Sequence, residues 1–76
     1  MTEIVEYLAR RLVDDPDAVR VEEIERDGAV VLQLHVAPDD VGKVIGRQGR
    51  IARALRTIVR ASAARRDHRV LLEIVE

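Results

Sequence analysis

The stretch KVIGRQGR, residues 43–50, lies near the centre of this 76-residue chain and decides how the rest is interpreted. Two of the chain's four glycines, Gly46 and Gly49, stand three positions apart in it, with Arg47 and Gln48 between them. Glycine adopts left-handed backbone angles at little steric cost and allows a ligand to approach the main chain closely. The stretch therefore predicts a tight polar loop whose backbone a ligand can reach.

Length and composition limit the kinds of fold and site that the chain can form. A chain of 76 residues forms one domain with a thin core. It has no cysteine, and its two histidines, His35 and His68, are far apart, so we expect neither a disulfide nor a metal site. The first residues lack the pattern of a signal peptide, and no apolar run is long enough to span a membrane. We expect one cytoplasmic domain over residues 1–76, with no membrane contact and no cofactor.

Charge is distributed unevenly along the chain, although the net charge is only −1. Residues 41–69 contain nine basic side chains and one acid, a charge of +8, and the remainder contains four basic side chains and thirteen acids, a charge of −9. Such asymmetry in a small domain indicates that one surface meets an anion. The alternative is that these arginines merely form the solvent side of an amphipathic helix.

The N-terminal half predicts a helix followed by a hairpin. Apolar residues at helical spacing predict a helix over 2–13, which the acidic, proline-containing stretch 14–17 ends as an exposed turn. Alternating apolar residues predict strands over 18–26 and 29–37, joined by Asp27-Gly28 in a type I′ turn. The two glutamates at positions 22 and 23 are out of phase, which predicts a β-bulge.

The C-terminal half predicts two helices and a strand. Asp39 or Asp40 is the expected cap of a short helix over 39–45, and the loop over 46–49 leads into a long helix over 49–65. A last strand is expected over 68–75. The long helix has a predicted core stripe, formed by Ile51, Ala54, Leu55, Ile58, Val59 and Ser62.

This order resembles a type II KH domain, and more narrowly the small stand-alone, KhpA-like KH proteins of bacteria. The resemblance covers essentially the whole chain and is carried by residues 41–55, in which G-x-x-G follows Val44-Ile45 and precedes an apolar helix in phase. A G-x-x-G sequence alone would be weak evidence, but here it falls between the fourth and fifth of six expected elements. The resemblance implies an α+β fold, a single domain of order α-β-β-α-α-β with helices packed on one face of a three-stranded sheet.

The resemblance also implies a function. In KH domains the GxxG loop, here residues 46–49, holds the backbone of about four nucleotides of single-stranded nucleic acid, and the bases lie in an apolar groove between the two helices and a strand. The implied RNA-binding residues are Lys43, Val44, Ile45, Gly46, Arg47, Gln48, Gly49, Arg50, Ile51 and Arg53. Val44, Ile45 and Ile51 are explained equally well as core residues. The preference for RNA over single-stranded DNA depends on the resemblance alone.

Composition separates this interpretation from other RNA-binding folds. The chain has no Phe or Trp and a single Tyr, so base stacking on aromatic side chains, as in RRM domains and OB folds, is not expected. A few phosphate contacts without stacking predict an affinity in the micromolar range or weaker, with a steep salt dependence.

Two other classes of function were weighed. An enzyme is not expected, because the loop does not match the phosphate-binding pattern G-x-x-x-x-G-K-[ST] and no nucleophile stands in register with a base. The main alternative is a protein-interaction module with little intrinsic RNA binding.

The resemblance implies a post-transcriptional regulator or RNA chaperone that pairs with itself or with a larger KH-containing RNA-binding protein. Val31, Leu71 and Val75 lie on the outer sheet face and offer a dimer patch, or are ordinary surface residues.

Overall fold

The computed structural model describes residues 2–64 and 69–76. The element order is α-β-β-α-α-β, as predicted, with short 3₁₀ turns at Pro16–Ala18, Pro38–Asp40 and Arg47–Gly49. The elements are α1 (Thr2–Leu12), β1 (Arg20–Arg26), β2 (Ala29–His35), α2 (Val41–Ile45), α3 (Arg50–Ala63) and β3 (Val70–Ile74). Residues 65 and 68, where the predicted long helix ends and the predicted last strand begins, lie outside the described residues.

Two elements begin later than the sequence pattern suggests, in each case after a proline. The 3₁₀ turn Pro16–Ala18 delays β1 to Arg20, and the turn Pro38–Asp40 delays α2 to Val41. Proline fixes its own φ near the helical value and has no N–H to donate, which suits the first position of a tight turn, and in each case the next element begins after that turn. β2 ends at His35, before the Ala37-Pro38 pair.

The sheet has the order β1-β2-β3, with β1 antiparallel to β2 and β3 parallel to β2. Positive φ angles at Asp27 (52°) and Gly28 (79°) agree with the type I′ hairpin turn. The predicted β-bulge is wrong, because the register continues residue by residue from Arg20 opposite His35 to Arg26 opposite Ala29. Glu23 lies opposite Leu32, on the helix side, yet remains exposed because β1 is an edge strand.

The core forms where the three helices cover one face of the sheet. Leu32 and Leu34 of β2 are almost completely buried there. The helices contribute buried side chains from α1 (Val5, Ala9), α2 (Val44) and α3 (Leu55, Val59, Ala63), and β3 adds Val70 and Leu72. The five residues of α2 are therefore held between the sheet and its two neighbouring helices.

The face that α3 buries differs from the predicted stripe. Its buried residues are Ala52, Leu55, Val59 and Ala63, and the predicted core residues Ala54 and Ser62 are exposed. Ile51 and Ile58 lie half-buried at the edge of the contact. Leu55 and Val59 lie in the middle of this buried face and the two alanines lie towards its ends. Apolar periodicity alone does not indicate which arc of the helix its neighbours cover.

Within the ranges 2–64 and 69–76, no helix combines the length and apolar character that crossing a membrane requires.

Candidate nucleic-acid interface

The GxxG loop makes a sharp turn between α2 and α3. The N–H of Gly46 donates to Gly42 O at 2.8 Å and ends α2, and the N–H of Gly49 donates to Gly46 O at 3.1 Å. Gly46, Gln48 and Gly49 all have positive φ angles, of 77°, 57° and 74°. Neither of these two hydrogen bonds uses the N–H groups of Arg47 and Gln48.

The two glycines of the loop are required for different reasons. A Cβ at Gly46 would overlap the side chain of Ile51 and would lie 2.9 Å from the Ile51 backbone nitrogen. A Cβ at Gly49 would have Arg53 Nη1 as its nearest neighbour, at 3.8 Å, which is an ordinary contact. Gly46 is therefore needed for internal packing as well as for its φ angle, whereas Gly49 is needed for its φ angle alone.

Gln48 is a non-glycine residue in the left-handed region, with φ 57° and ψ 24°. This conformation costs an L-residue roughly 1–2 kcal/mol. Its exposed side chain accepts a hydrogen bond from Arg50 Nη2 at 3.4 Å. The loop therefore holds an uncommon backbone conformation at a position whose side chain is exposed to solvent.

Five exposed arginines extend from the loop along α3. We call them the basic surface: Arg47, Arg50, Arg53, Arg56 and Arg60. Among the described residues, none of them forms an ion pair. Arg56 donates a hydrogen bond of 3.4 Å from its Nε to Leu72 O of β3.

The arginines of α1 and β1 behave differently from those of the basic surface. Arg10, Arg20 and Arg26 each have a glutamate partner, at 3.6, 2.6 and 3.0 Å. Arg11 stacks over the Tyr7 ring, 5.4 Å from its centroid. Among the described residues, positive charge without an acidic partner is therefore found mainly around the GxxG loop and along α3.

The predicted apolar residues of the site differ in how accessible they are. Val44 is fully buried and supports α2 from inside the core. Ile45 and Ile51 flank the loop and are half-buried, with Ile51 packed against the core cluster. Ile45 and Ile51 are the two that present partial apolar surface beside the loop.

Lys43 stands apart from the arginines because it lies between two carboxylates. Its Nζ is 3.1 Å from Asp40 Oδ1 and 3.2 Å from Asp14 Oδ2. Asp40 is the one buried charged residue in the described part of the chain, and its Oδ2 accepts a hydrogen bond from the Asp15 N–H at 3.1 Å. Asp40 occupies the N-cap position of α2 as predicted, but its side chain makes no capping hydrogen bond.

The ionisation of this pair follows from its surroundings. Burial alone would raise the pKa of Asp40, but hydrogen bonds from Lys43 and from the N–H groups of Asp15 and Asp14 outweigh it and hold the pKa below its ordinary value. Hydrogen bonds to the carboxylates of Asp40 and then of Asp14 raise the pKa of Lys43. Both groups are charged at neutral pH. Asp15 and Asp40 lie 25 residues apart, so the sequence does not indicate their contact. Only the spacing of three residues between Asp40 and Lys43 suggests that these two side chains meet.

The fold and the loop can now be compared with known proteins. Residues 2–74 match the family described as KhpA/KhpB, KH domain. The chain belongs to the KhpA/KhpB KH-domain family. This confirms the resemblance and the KH fold inferred from residues 41–55. No solved structure matches the chain with statistical significance.

Relatives in the KhpA/KhpB family match over nearly their whole length. The chain is 52% identical to "RNA-binding protein KhpA" of Caldanaerobacter subterraneus subsp. tengcongensis, over 99% of this chain and 100% of the relative. It is 55% identical to the protein of the same name in Aquifex aeolicus, over 100% of this chain and 96% of the relative. The corresponding protein of Treponema pallidum is 53% identical, over 97% of this chain and 92% of the relative.

Two of the three residues predicted as a dimer patch, Val31 and Leu71, are neighbours on adjacent strands of the sheet, and a role of the patch in dimerisation stays a prediction. Val31 pairs with Ile24 and with Leu71 in one row across the three strands. Val31 is buried, Val75 is half-buried and Leu71 is 44% exposed. A cavity of about 430 Å³ adjoins this row at the free edge of β3. Leu71 is thus the most accessible apolar side chain of the patch.

Proposed function

We propose that this chain is a non-catalytic, single-stranded RNA-binding protein whose GxxG loop and basic surface hold the RNA backbone. The observation that carries the proposal is the basic surface itself. Its five arginines extend from the glycine turn along α3, and none has an acidic partner among the described residues. Its relatives are named RNA-binding proteins, which supports the same conclusion.

The backbone of the loop offers a phosphate several donors at once. The N–H groups of Arg47 and Gln48 are not used by the loop's own two hydrogen bonds. The 14-residue helix α3 begins directly after Gly49, and the positive end of its dipole favours an anion there. Because Gly49 has no side chain, a phosphate can approach this turn closely.

Side chains complete the proposed contact. The guanidinium groups of Arg47, Arg50 and Arg53 donate charge-assisted hydrogen bonds to phosphate oxygens, which are roughly twice as strong as those between neutral groups. Ile45 and Ile51 give apolar contact to a base beside the loop. With no Phe or Trp available for stacking, the affinity of one domain stays in the micromolar range or weaker.

Weak binding by one small domain is useful mainly when several domains act together. We propose a cytoplasmic post-transcriptional regulator or RNA chaperone that works as a homodimer or beside a larger KH-containing RNA-binding protein. The family description covers two proteins, KhpA and KhpB, which supports a role for a second chain.

The test is crosslinking to RNA in cells, followed by sequencing of the bound transcripts. The double variant Arg47→Asp with Gln48→Asp places two acids in the turn and is expected to abolish crosslinking while folding and self-association remain. The matched control is Tyr7→Glu with Arg11→Glu, which makes the same change in charge on the exposed side of α1. It should crosslink like the unmodified protein.

Two results would overturn the proposal. If the unmodified protein self-associates but does not crosslink, the chain is a protein-interaction module. If the loop variant crosslinks as well as the control, RNA contacts a different surface. Competition between RNA and DNA oligonucleotides of the same sequence then measures the preference for RNA.

A further inference from the structure

We propose that Asp40 and Lys43 are a positioning pair for the GxxG loop, and that Lys43 acts as the counter-ion of Asp40 rather than as a phosphate ligand. The expected effect of the pair on RNA binding rests on the proposed function, whereas its contacts are independent of that function. It gives Lys43 a role different from that of Arg47, although both are basic residues of the same stretch.

The pair joins two segments that are distant in sequence. Asp40 lies immediately before α2, and its two oxygens reach in different directions: Oδ2 accepts from the N–H of Asp15 in the turn after α1, and Oδ1 accepts from Lys43 Nζ. Asp14, in the same turn, contacts Lys43 Nζ from its other side at 3.2 Å. The turn after α1 and the first turn of α2 are therefore held together by one buried carboxylate and one ammonium.

Helix α2 depends on such contacts because it has only five residues. Isolated helices shorter than about 12–15 residues are marginal in water, so α2 is held by packing and by its ends. Val44 anchors its middle in the core, and Asp40 anchors its start. Gly46 follows Asp40 by six positions, which span only about 9 Å at helical rise, so an anchor at position 40 sets where the loop begins.

Charge argues against Lys43 as a phosphate ligand. Its single positive charge lies beside two carboxylates, Asp14 and Asp40, which leaves the group with a net charge of −1. A phosphate that approached Lys43 would also approach Asp14, whose side chain is 84% exposed. Arg47 has no acidic neighbour of this kind among the described residues.

Salt dependence of RNA binding separates the two roles. Each phosphate that a protein neutralises on a single strand contributes about −0.7 to the slope of log K against log [salt]. We would measure fluorescence anisotropy of a labelled ten-nucleotide RNA between about 50 and 200 mM KCl, the range over which phosphate contacts strongly weaken. Arg47→Ala is expected to reduce the magnitude of the slope by about 0.7. Lys43→Met should weaken binding several-fold at every salt concentration with the slope unchanged, and Lys43→Arg should restore it. A slope reduced by Lys43→Met as much as by Arg47→Ala would overturn the inference.

A second measurement does not depend on RNA. Asp40→Asn keeps the shape and the contact to the Asp15 N–H but loses the charge. Asp40→Asn and Lys43→Met should each lower the unfolding midpoint and accelerate amide hydrogen exchange at Gly46 and Gly49. The double variant should be no less stable than the less stable of the two single variants, since Asp40 is then no longer a buried charge without its counter-ion. Asp14→Asn removes an exposed partner and serves as the control with a smaller effect.

The two proposals can fail separately. If the unmodified protein binds no RNA, the proposed function is wrong, and the exchange data still decide whether Asp40 and Lys43 position the loop. If both single variants leave the midpoint and the loop exchange unchanged, the positioning pair is refuted even where RNA binding is intact.

Discussion

Gly46 and Ile51 are in direct contact across the GxxG loop, and the contact leaves no room for a Cβ on Gly46. The end of α2 is therefore packed onto the first turn of α3. At Gly49, three residues further on, a Cβ would make only an ordinary contact, 3.8 Å from Arg53 Nη1. The two glycines of one motif should consequently respond differently to the same substitution.

We expect Gly46→Ala to destabilise the protein more than Gly49→Ala. At Gly46 the change combines left-handed strain of roughly 1–2 kcal/mol with overpacking of roughly 1–3 kcal/mol. At Gly49 only the strain of roughly 1–2 kcal/mol applies. Urea denaturation of both variants measures the difference. Equal losses would show that the contact between Gly46 and Ile51 relaxes at no cost.

Gln48→Gly should leave the stability unchanged or raise it by up to about 1 kcal/mol. Glycine removes the left-handed strain at this position, and the gain is partly offset by the greater freedom of the unfolded chain. Thr57→Gly, at an exposed site within α3, is the matched control and should lower the stability by up to about 1 kcal/mol. If Gln48→Gly destabilises as much as the control, Gln48 makes a stabilising contact that outweighs its backbone strain.

Arg53→Ala should weaken RNA binding and reduce the magnitude of its salt slope by about 0.7, as expected for one lost phosphate contact on a single strand. Arg20→Ala is the control, because Arg20 lies on β1 and is paired with Glu22 at 2.6 Å. It should leave both the affinity and the slope near those of the unmodified protein. Titration by fluorescence anisotropy at several salt concentrations gives both quantities. If the two variants lose the same affinity and the same salt slope, RNA binding depends only on the total charge of the protein.

Acid should destabilise the fold in part through Glu73. Hydrogen bonds from Arg26 (3.0 Å) and then Gln33 (2.9 Å) hold the pKa of Glu73 below its ordinary 4.5. Because the pKa is lower in the folded state, this contribution is complete above pH 4.5 and is lost as the pH falls through the folded value. Asp40 adds a loss of the same sign below its ordinary 3.8.

The measurement is the thermal midpoint as a function of pH, for the unmodified protein and for Glu73→Gln. The variant should lose less stability between about pH 6 and pH 3, because it has no carboxylate to protonate at this site. Parallel curves would show that the contacts of the Glu73 carboxylate with Arg26 and Gln33 contribute no stability to the fold.

The sequence predicts best those features that depend on neighbouring residues. The hairpin turn follows from Asp27 and Gly28 alone, since both central residues of a type I′ turn need positive φ. The GxxG loop and the element order were predicted in the same way, from local spacing.

Features that depend on distant partners were predicted poorly. Ala52 is buried in place of Ala54 because the approach of α3 to the core, not the periodicity, decides which face is covered. Asp40 looked like a helix cap because nothing near it in sequence reveals that Asp15 and Asp14 lie beside it. The β-bulge failed because an exposed edge strand tolerates a charged residue on its inner side.

The parallel pairing of β2 with β3 has a consequence for how a ligand acts on the whole molecule. Parallel neighbours need a crossover connection, and here that connection is α2, the GxxG loop and α3. The turn that we propose to contact RNA is thus part of the connection that joins the last strand to the sheet. By thermodynamic linkage, an oligonucleotide that binds the turn only in the native state raises the melting temperature of the whole domain.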